Sequence, residues 1–394
     1  MSKLVLSINA GSSSLKFKLF SMPEEICIFT GQFDGVNAEE TLFKATLLGQ
    51  KIVDALGLCD FERAIDYLLD YLVDQEVIDK IDNLELIGHR IAHGGETFPN
   101  SININKEVLG QLDKLCRLAP LHNPINLFCI RQFMDKLPNA KHVAVFDTAF
   151  HQSIQPELYL YALPYRLYTE HGIRRFGFHG ISHQYISETV SDKIESNSNQ
   201  RIISCHLGNG SSICAINNGE SMMTSMGYTP LAGLMMGTRC GDIDPALPKI
   251  IAEAANIEMN QVENMMNQES GLLGISELSN DFRKLQIAKD QGNEQATLAL
   301  SIFTNRVTQT IGAYAALMEG VDAIVFTGGI GENSVRCRED VCQGLGFMGV
   351  NFEQERNAKG FEKISHSDSK VQVFVINTDE ELMISREVIK LTTA

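Results

Sequence analysis

Arg90 in GHRIAHGG, His122 in APLHNP, His179 and His183 in RFGFHGISH, and Arg239 in GTRCGDID all stand beside glycine or proline rather than inside a periodic run. Loop residues carry function more often than residues on core faces, and this set is cationic. Guanidinium and imidazole donors suit an anion whose charge must be held while it redistributes. Hard oxygen donors form a second set: Asp147 at the end of HVAVF, Asn9, and the pair Glu380 and Glu381 in NTDEEL. Carboxylate and carboxamide oxygens are the ligands magnesium takes. Thr378 and Glu381 have the spacing of a capping box, which accounts for Glu381 and leaves Glu380 to face a metal ion. His179 and His183 have i, i+4 spacing, but Gly180 follows His179 and the glutamate of H-E-x-x-H is absent, so zinc is disfavoured.

Three glycine-rich turns add a different capacity. SINAGSSSLKF at 7–17 is no Walker loop, because no second glycine precedes the lysine and a strand pattern follows instead of a helix. A hairpin turn there offers the backbone N–H groups of Gly11 to Ser14, serine hydroxyls and Lys16, a set able to hold phosphate oxygens. Taken alone, such a turn reads rather as a solvated surface turn, because serine and glycine are ordinary turn residues. HLGNGSS at 206–212 and TGGIGENS at 327–334 also follow strands, and glycine lets a backbone approach a ligand closely. Three such turns in one chain point to a nucleotide. GGIGE lacks the G-x-G-x-x-G spacing of a dinucleotide fingerprint.

The elements that must position these residues are legible from periodicity. LVLSI and LKFKLF alternate, so the first turn joins two strands. The unit recurs in IISCHLGNGSSICAI, with Ser7, Asn9 and Gly11 opposite Ser204, His206 and Gly208, an offset of 204 minus 7, or 197 residues, half of the 394. VAVFDTAF at 143–150 and AIVFTGGIGEN at 323–333 read as strand-plus-turn units in comparable late positions of each half. Helical spacing marks 61–73, 124–137, 294–318 and about 379–391. The spacing predicts a duplicated α/β chain with a mostly parallel sheet in each half, an exposed loop at 191–200, and a domain boundary near 148–150. The terminal helix could pack on either half.

Composition narrows the function classes. Two domains are the natural prior for 394 residues. With 33 basic against 49 acidic residues, a net charge of −16 has the wrong sign for wrapping nucleic acid or coating an anionic membrane. The first apolar run is too short for a signal peptide or a span, so a cytoplasmic location is expected. Nine cysteines, without a Cys-x-x-Cys pair and set in runs such as EEICIF and SICAI, read as reduced core thiols.

NAGSSSLKF, HRIAHGG, APLHNP, FDTAFH, RFGFHGISHQYIS, HLGNGSS, MGTRCGDIDP, GGIGENS and TDEEL, in this order, resemble the motif set of the acetate kinase family along nearly the whole chain. The resemblance implies two duplicated ribonuclease-H-like domains of the sugar kinase, Hsp70 and actin superfamily with a nucleotide cleft between them, and a homodimer. It implies an acyl-substrate domain at 1–149, on which a helix at about 383–394 could pack, and a nucleotide-binding domain at 150–382. It implies phosphoryl transfer between ATP and acetate with Mg²⁺, for which Mn²⁺ could substitute. Arg90 would bind the carboxylate, Asp147 would orient the reacting groups, and His179 and Arg239 would stabilise the transferring phosphoryl. Asn9 and Glu380 would serve the metal. Ser12, Ser14 and Lys16 would line the phosphate path, with His122 adding a donor. ATP would be held by Lys16, by His206, Leu207, Gly208, Asn209 and Gly210, by Asp281, Phe282 and Arg283, and by Gly329, Ile330, Gly331, Glu332 and Asn333.

One position departs from the family's usual pattern. Ala92 stands where valine is common, in the pocket expected to hold the substrate methyl with Leu121, Phe178 and Pro230. A smaller side chain enlarges that pocket, so propionate is an alternative substrate. An actin- or Hsp70-like ATPase would leave Arg90 and Ala92 without a task, and a structural or regulatory binding module predicts nucleotide binding with no turnover.

Overall fold

A computed structural model describes residues 2–47, 49–194 and 200–393, so residues 195–199 of the expected 191–200 loop lie outside the described residues. Its contacts divide the chain into two units, Met1–Phe150 with Asp379–Ala394, and His151–Thr378. The second boundary falls at 378/379 rather than at 382/383, because residue 380 already begins a helix, Glu380–Thr393, that packs on the first unit's sheet.

The first unit holds β1 (Lys3–Ala10), β2 (Ser14–Met22), β3 (Ile26–Asp34), β4 (Leu42–Leu47), β5 (Gln50–Ala55), β6 (Leu86–Ile91), β7 (Ile102–Asn103) and β8 (Lys141–Phe146) in the order β5-β4-β3-β2-β1-β6-β8-β7. In this sheet, among the described residues, only β1–β6 and β6–β8 pair in parallel. Strands β1 to β5 form an antiparallel meander, so the mostly parallel sheet is corrected to a mixed one. The meander's core face stacks Phe17, Phe29, Phe33 and Phe43 against Tyr67 and Tyr71 of the helix Phe61–Asp74, a geometry that offsets aromatic rings favourably. Asp60 caps that helix by accepting from Arg63 N at 2.9 Å.

The second unit holds β9 (Arg201–Leu207), β10 (Ser211–Asn217), β11 (Glu220–Thr224), β12 (Ala323–Thr327) and β13 (Gln372–Val375) in the order β11-β10-β9-β12-β13. β9, β10 and β11 are antiparallel, and β9, β12 and β13 are parallel. Its core packs the buried stripe of the helix Glu294–Leu317, including Leu300, Phe303, Val307 and Ile311, against β9 and β10.

The strand plan β3-β2-β1-β6-β8 is therefore repeated as β11-β10-β9-β12-β13. The duplication holds, but 143–150 and 323–333 are not counterparts: β12 is the fourth strand of its plan and matches β6, while β8 matches β13. The repeat includes a helix on the central strand. Ser7 Oγ on β1 donates to the Glu381 carbonyl at 2.7 Å and lies 2.8 Å from Ser385 Oγ, both on Glu380–Thr393. Ser204 Oγ on β9 lies 2.9 Å from His183 Nδ1, on the helix Gly180–Ser191.

Candidate active site

In the first unit the functional side chains gather at the ends of β1, β6 and β8 and at the first turn of Glu380–Thr393. Asn9 and Lys16 face each other across the hairpin. Asp147 follows β8, its N–H held by the Ile91 carbonyl at 3.0 Å, and Arg90 Nη2 donates to its Oδ2 at 2.7 Å. Burial works against the Arg90 charge, but Asp147, with Glu380 and Glu381 behind it, outweighs that and raises its pKa. Burial, with repulsion from Asp147 and Glu381, pushes the Glu380 carboxyl up to about 7 against the pull of Arg90 and Lys16. Asn9 Nδ2 donates weakly to Glu380 Oε2 at 3.4 Å and Glu381 Oε1 at 3.5 Å.

The terminal helix is capped by Asp379, whose Oδ1 accepts from Leu382 N at 2.9 Å. The Thr378–Glu381 capping box is thereby corrected: a carboxylate one residue on is the better acceptor, Thr378 Oγ1 instead lies 2.8 Å from Ser182 Oγ, and Glu381 stands 3.6 Å from Lys18 Nζ. Among the described residues no three of His, Cys, Asp and Glu converge as a metal-ligand set. The donors present, two acidic oxygens and a carboxamide, suit magnesium, which keeps waters and is completed by substrate phosphates.

Ser12 is exposed and Ser14 half-buried in the hairpin turn, where Gly11 N donates to the Ser14 carbonyl at 2.7 Å. Ala92 is buried and its N–H is held by Asn126 Oδ1 at 3.1 Å. Leu121 is 71% exposed, and His122 begins the helix Asn123–Lys136.

In the second unit His179 has φ 58, placing it at the sharp entry to Gly180–Ser191. Its ring stacks on His206 with centroids 4.3 Å apart, and its Nδ1 lies 3.0 Å from Ser212 Oγ. Arg239 is half-buried; its Nη1 reaches the Pro230 carbonyl at 3.4 Å, and burial alone lowers its pKa. No carboxylate pairs with it among the described residues. A Cβ at Gly210 would stand 3.4 Å from Arg239 Nη1 and 3.6 Å from His179 Nε2, so these two donors face the space that glycine leaves open. Phe178 is buried with Met226 and Met236.

A cleft of about 710 Å³ is lined by Gly208, Asn209, Asp281, Phe282, Arg283, Gly329, Ile330 and Asn333, together with Asn280 and Ser334. That volume lies in the range of small-molecule sites. His206, Leu207, Gly210, Gly331 and Glu332 do not line it. The TGGIGENS segment forms a short helix, Gly328–Asn333, rather than an open turn. Glu332 is used inside it, its Oε1 accepting from Gly328 N at 2.9 Å and Thr378 N at 3.1 Å, and Leu207 is core. Asp281 caps the helix Phe282–Asp290. Sequence reasoning gave no site role to Asn280, which precedes Asp281, nor to Ser334, Ser182 and Ser212, which lie inside TGGIGENS, RFGFHGISH and HLGNGSS, nor to Ser204 beyond its place opposite Ser7. The alternation of β9, which sets Ser204 on the face of His206, was the available signal.

All nine cysteines are free; six are buried, but Cys27 in EEICIF is exposed, because β3 turns that end of its strand outward. No helix among the described residues is long and apolar enough to cross a membrane.

The acetokinase family model matches residues 4–386. The chain belongs to that family. It is 48% identical over 396 residues to an acetate kinase of Staphylococcus haemolyticus, covering 99% of each chain. It is 46% identical over 395 residues to a propionate kinase of Citrobacter rodentium, covering 100% of this chain and 98% of the other. The crystal structure of Porphyromonas gingivalis acetate kinase superposes with a TM-score of 0.93 at 40% identity, covering 99% of each chain. Family membership thus accounts for the mixed α/β fold with its two sheets.

Proposed function

We propose that this chain is an acetate kinase, transferring the γ-phosphoryl of ATP to acetate reversibly to give acetyl phosphate and ADP. The observation that carries this reading is the convergence of Arg239, which lacks a carboxylate partner among the described residues, and His179 on the space left by Gly210. In this reading that space receives the transferring phosphoryl. A short carboxylate, with a pKa near 4.3 like that of Glu, is ionised at neutral pH and needs no general base. It needs cations, since catalysis of phosphoryl transfer is mainly positioning and electrostatic stabilisation of a loose transition state. Arg239 and His179 hold charge on the equatorial oxygens. Arg90, oriented by Asp147 at 2.7 Å, binds the carboxylate. The cleft at Gly208, Asn209, Asp281 and Gly329 takes the nucleotide. Ser12, Ser14, Lys16 and His122 are assigned as donors along the phosphate path.

Asn9 and Glu380 would hold magnesium; burial raises the Glu380 carboxyl most, and the repulsion from Asp147 and Glu381 that adds to it supports a cation there. When bound, the ion would neutralise phosphate charge; manganese offers the same hard acceptor. The proposal includes a homodimer working in the cytoplasm and direct in-line transfer, hence inversion at a chiral, isotopically labelled γ-phosphorus.

Trapping acyl phosphate with hydroxylamine, with acetate and ATP omitted in turn, tests the reading. Hydroxamate should form only when both are present with magnesium. ATP hydrolysis independent of acetate would indicate an actin- or Hsp70-like ATPase instead, and nucleotide binding without turnover a binding module.

Buried Ala92 favours a second reading, propionate as the preferred acid. An extra methylene buried there contributes about 0.8 kcal/mol, and apolar pockets separate one methylene by about 10- to 200-fold at most. Ala92→Val should raise the acetate-to-propionate ratio of kcat/KM by about fourfold or more; an unchanged ratio removes the argument.

A further inference from the structure

We infer that His183 and Ser212 are positioning residues that fix the tautomer of His179, so that its Nε2–H is the donor offered to the transferring phosphoryl. The inference rests on the reading that His179 meets that group. His183 is fully buried, and each of its ring nitrogens faces a serine hydroxyl, Nδ1 at 2.9 Å from Ser204 Oγ and Nε2 at 2.8 Å from Ser212 Oγ. Ser212 Oγ is in turn 3.0 Å from His179 Nδ1. Burial, together with His151, His206 and His179 around it, keeps His183 well below the usual imidazole range and therefore neutral.

A neutral imidazole has one donor nitrogen and one acceptor, and a hydroxyl carries one proton. Ser212 could accept from both rings only by leaving its own buried proton unmatched, since its hydroxyl has no other partner among the described residues, so the chain Ser204–His183–Ser212–His179 is threaded in one of two directions. In one, Ser204 donates to His183 Nδ1, His183 Nε2–H to Ser212, and Ser212 to His179 Nδ1, which leaves the remaining proton of His179 on Nε2. In the other every bond reverses, the His179 Nε2 lone pair faces outward, and the buried Ser204 proton has no acceptor, for Ser204 Oγ makes no other hydrogen bond among the described residues. An unmatched buried hydroxyl donor is costly, so the first direction is set. It is also the useful one, since Nε2 looks onto the space at Gly210 beside Arg239 Nη1, where a lone pair would repel an anion.

The test is a long-range ¹H–¹⁵N correlation spectrum of the full-length protein labelled with ¹⁵N-histidine, with His179→Gln used to assign its signals, alongside steady-state kinetics of Ser212→Ala. His179 and His183 should both show the Nε2–H tautomer. Ser212→Ala should move His179 toward a tautomer mixture and lower kcat about tenfold to a hundredfold, the usual loss when an orienting partner is removed, while the KM values for ATP and acetate stay within about threefold. A wild-type His179 in the Nδ1–H form, or as imidazolium at pH 7.5, overturns the proposal even if Ser212→Ala does not fold. Undiminished kcat in Ser212→Ala, with His179→Gln impaired, overturns the relay alone. Undiminished kcat in His179→Gln overturns both the relay and the phosphoryl assignment on which it rests.

Discussion

Arg239 and Arg90 show how differently one side-chain type is used within this chain. Arg90 is paired with Asp147 at 2.7 Å, whereas Arg239 has, among the described residues, a carbonyl at 3.4 Å and a thioether at 3.8 Å. A half-buried guanidinium with such weak partners gains most when an anion arrives. We predict that Arg239→Ala lowers kcat by about three orders of magnitude, the scale of arginines that hold a transferring phosphoryl. The KM for ATP should rise only a few-fold, because the charge is needed most in the transition state. Steady-state kinetics decide it, and an unchanged kcat would remove the assignment. Both arginines were legible from their glycine-flanked segments. That one is paired and the other not was illegible, because partners 57 residues apart such as Arg90 and Asp147 are set by strand order.

Elements, not loops, aim most of these groups. Glu380 is held by the helix Glu380–Thr393, which lies so close to β6 that a Cβ at Gly88 would collide with Ile384 Cγ2 and stand 2.8 Å from Val388 Cγ2. Gly88→Ala should therefore push the helix outward. We expect a loss of about 1–3 kcal/mol, typical of overpacking, and a raised magnesium requirement as Glu380 shifts; urea titration and metal titration of activity measure the two. Equal stability and an equal metal requirement would mean that the helix can slide without cost. Removing the Asp379 cap by Asp379→Ala should cost about 1 kcal/mol by the same denaturation measurement. The helix itself was readable from its spacing. Its cap was not, since Thr378 and Asp379 are both acceptable N-cap residues and only the packing chooses between them.

Several buried histidines give the whole molecule an acid limit. His89 and His142 lie 3.0 Å apart, nitrogen to nitrogen, with His142 Nε2 also 3.2 Å from the Leu137 carbonyl. Burial lowers the pKa of both, brings His93 to about 4 and lowers His183 in the second unit. The unfolded chain takes up these protons near pH 6.5 and the folded chain does not, so stability is full above that pH and falls as pH drops. His93 alone should cost about 1.4 kcal/mol per unit between about pH 6.5 and 4. Glu380, raised to about 7, binds its proton more readily in the folded chain and offsets part of this loss over the same range. Four histidines outweigh one carboxyl, so the urea midpoint should still fall between pH 7.5 and 5, and a flat profile would contradict the neutral assignments.

Local chemistry already determined much of this protein. Alternation fixed the two hairpins, helical spacing the long helices, and the 197-residue offset of Ser7, Asn9 and Gly11 the duplication, because these patterns act over neighbouring residues. The mixed sheets, the antiparallel run through β3, β4 and β5, the matching of β6 with β12, and the serine links that orient His179 required the tertiary structure. Each depends on which strand lies beside which, and that order is decided by burial of apolar faces over long stretches of chain, where a short motif carries no information.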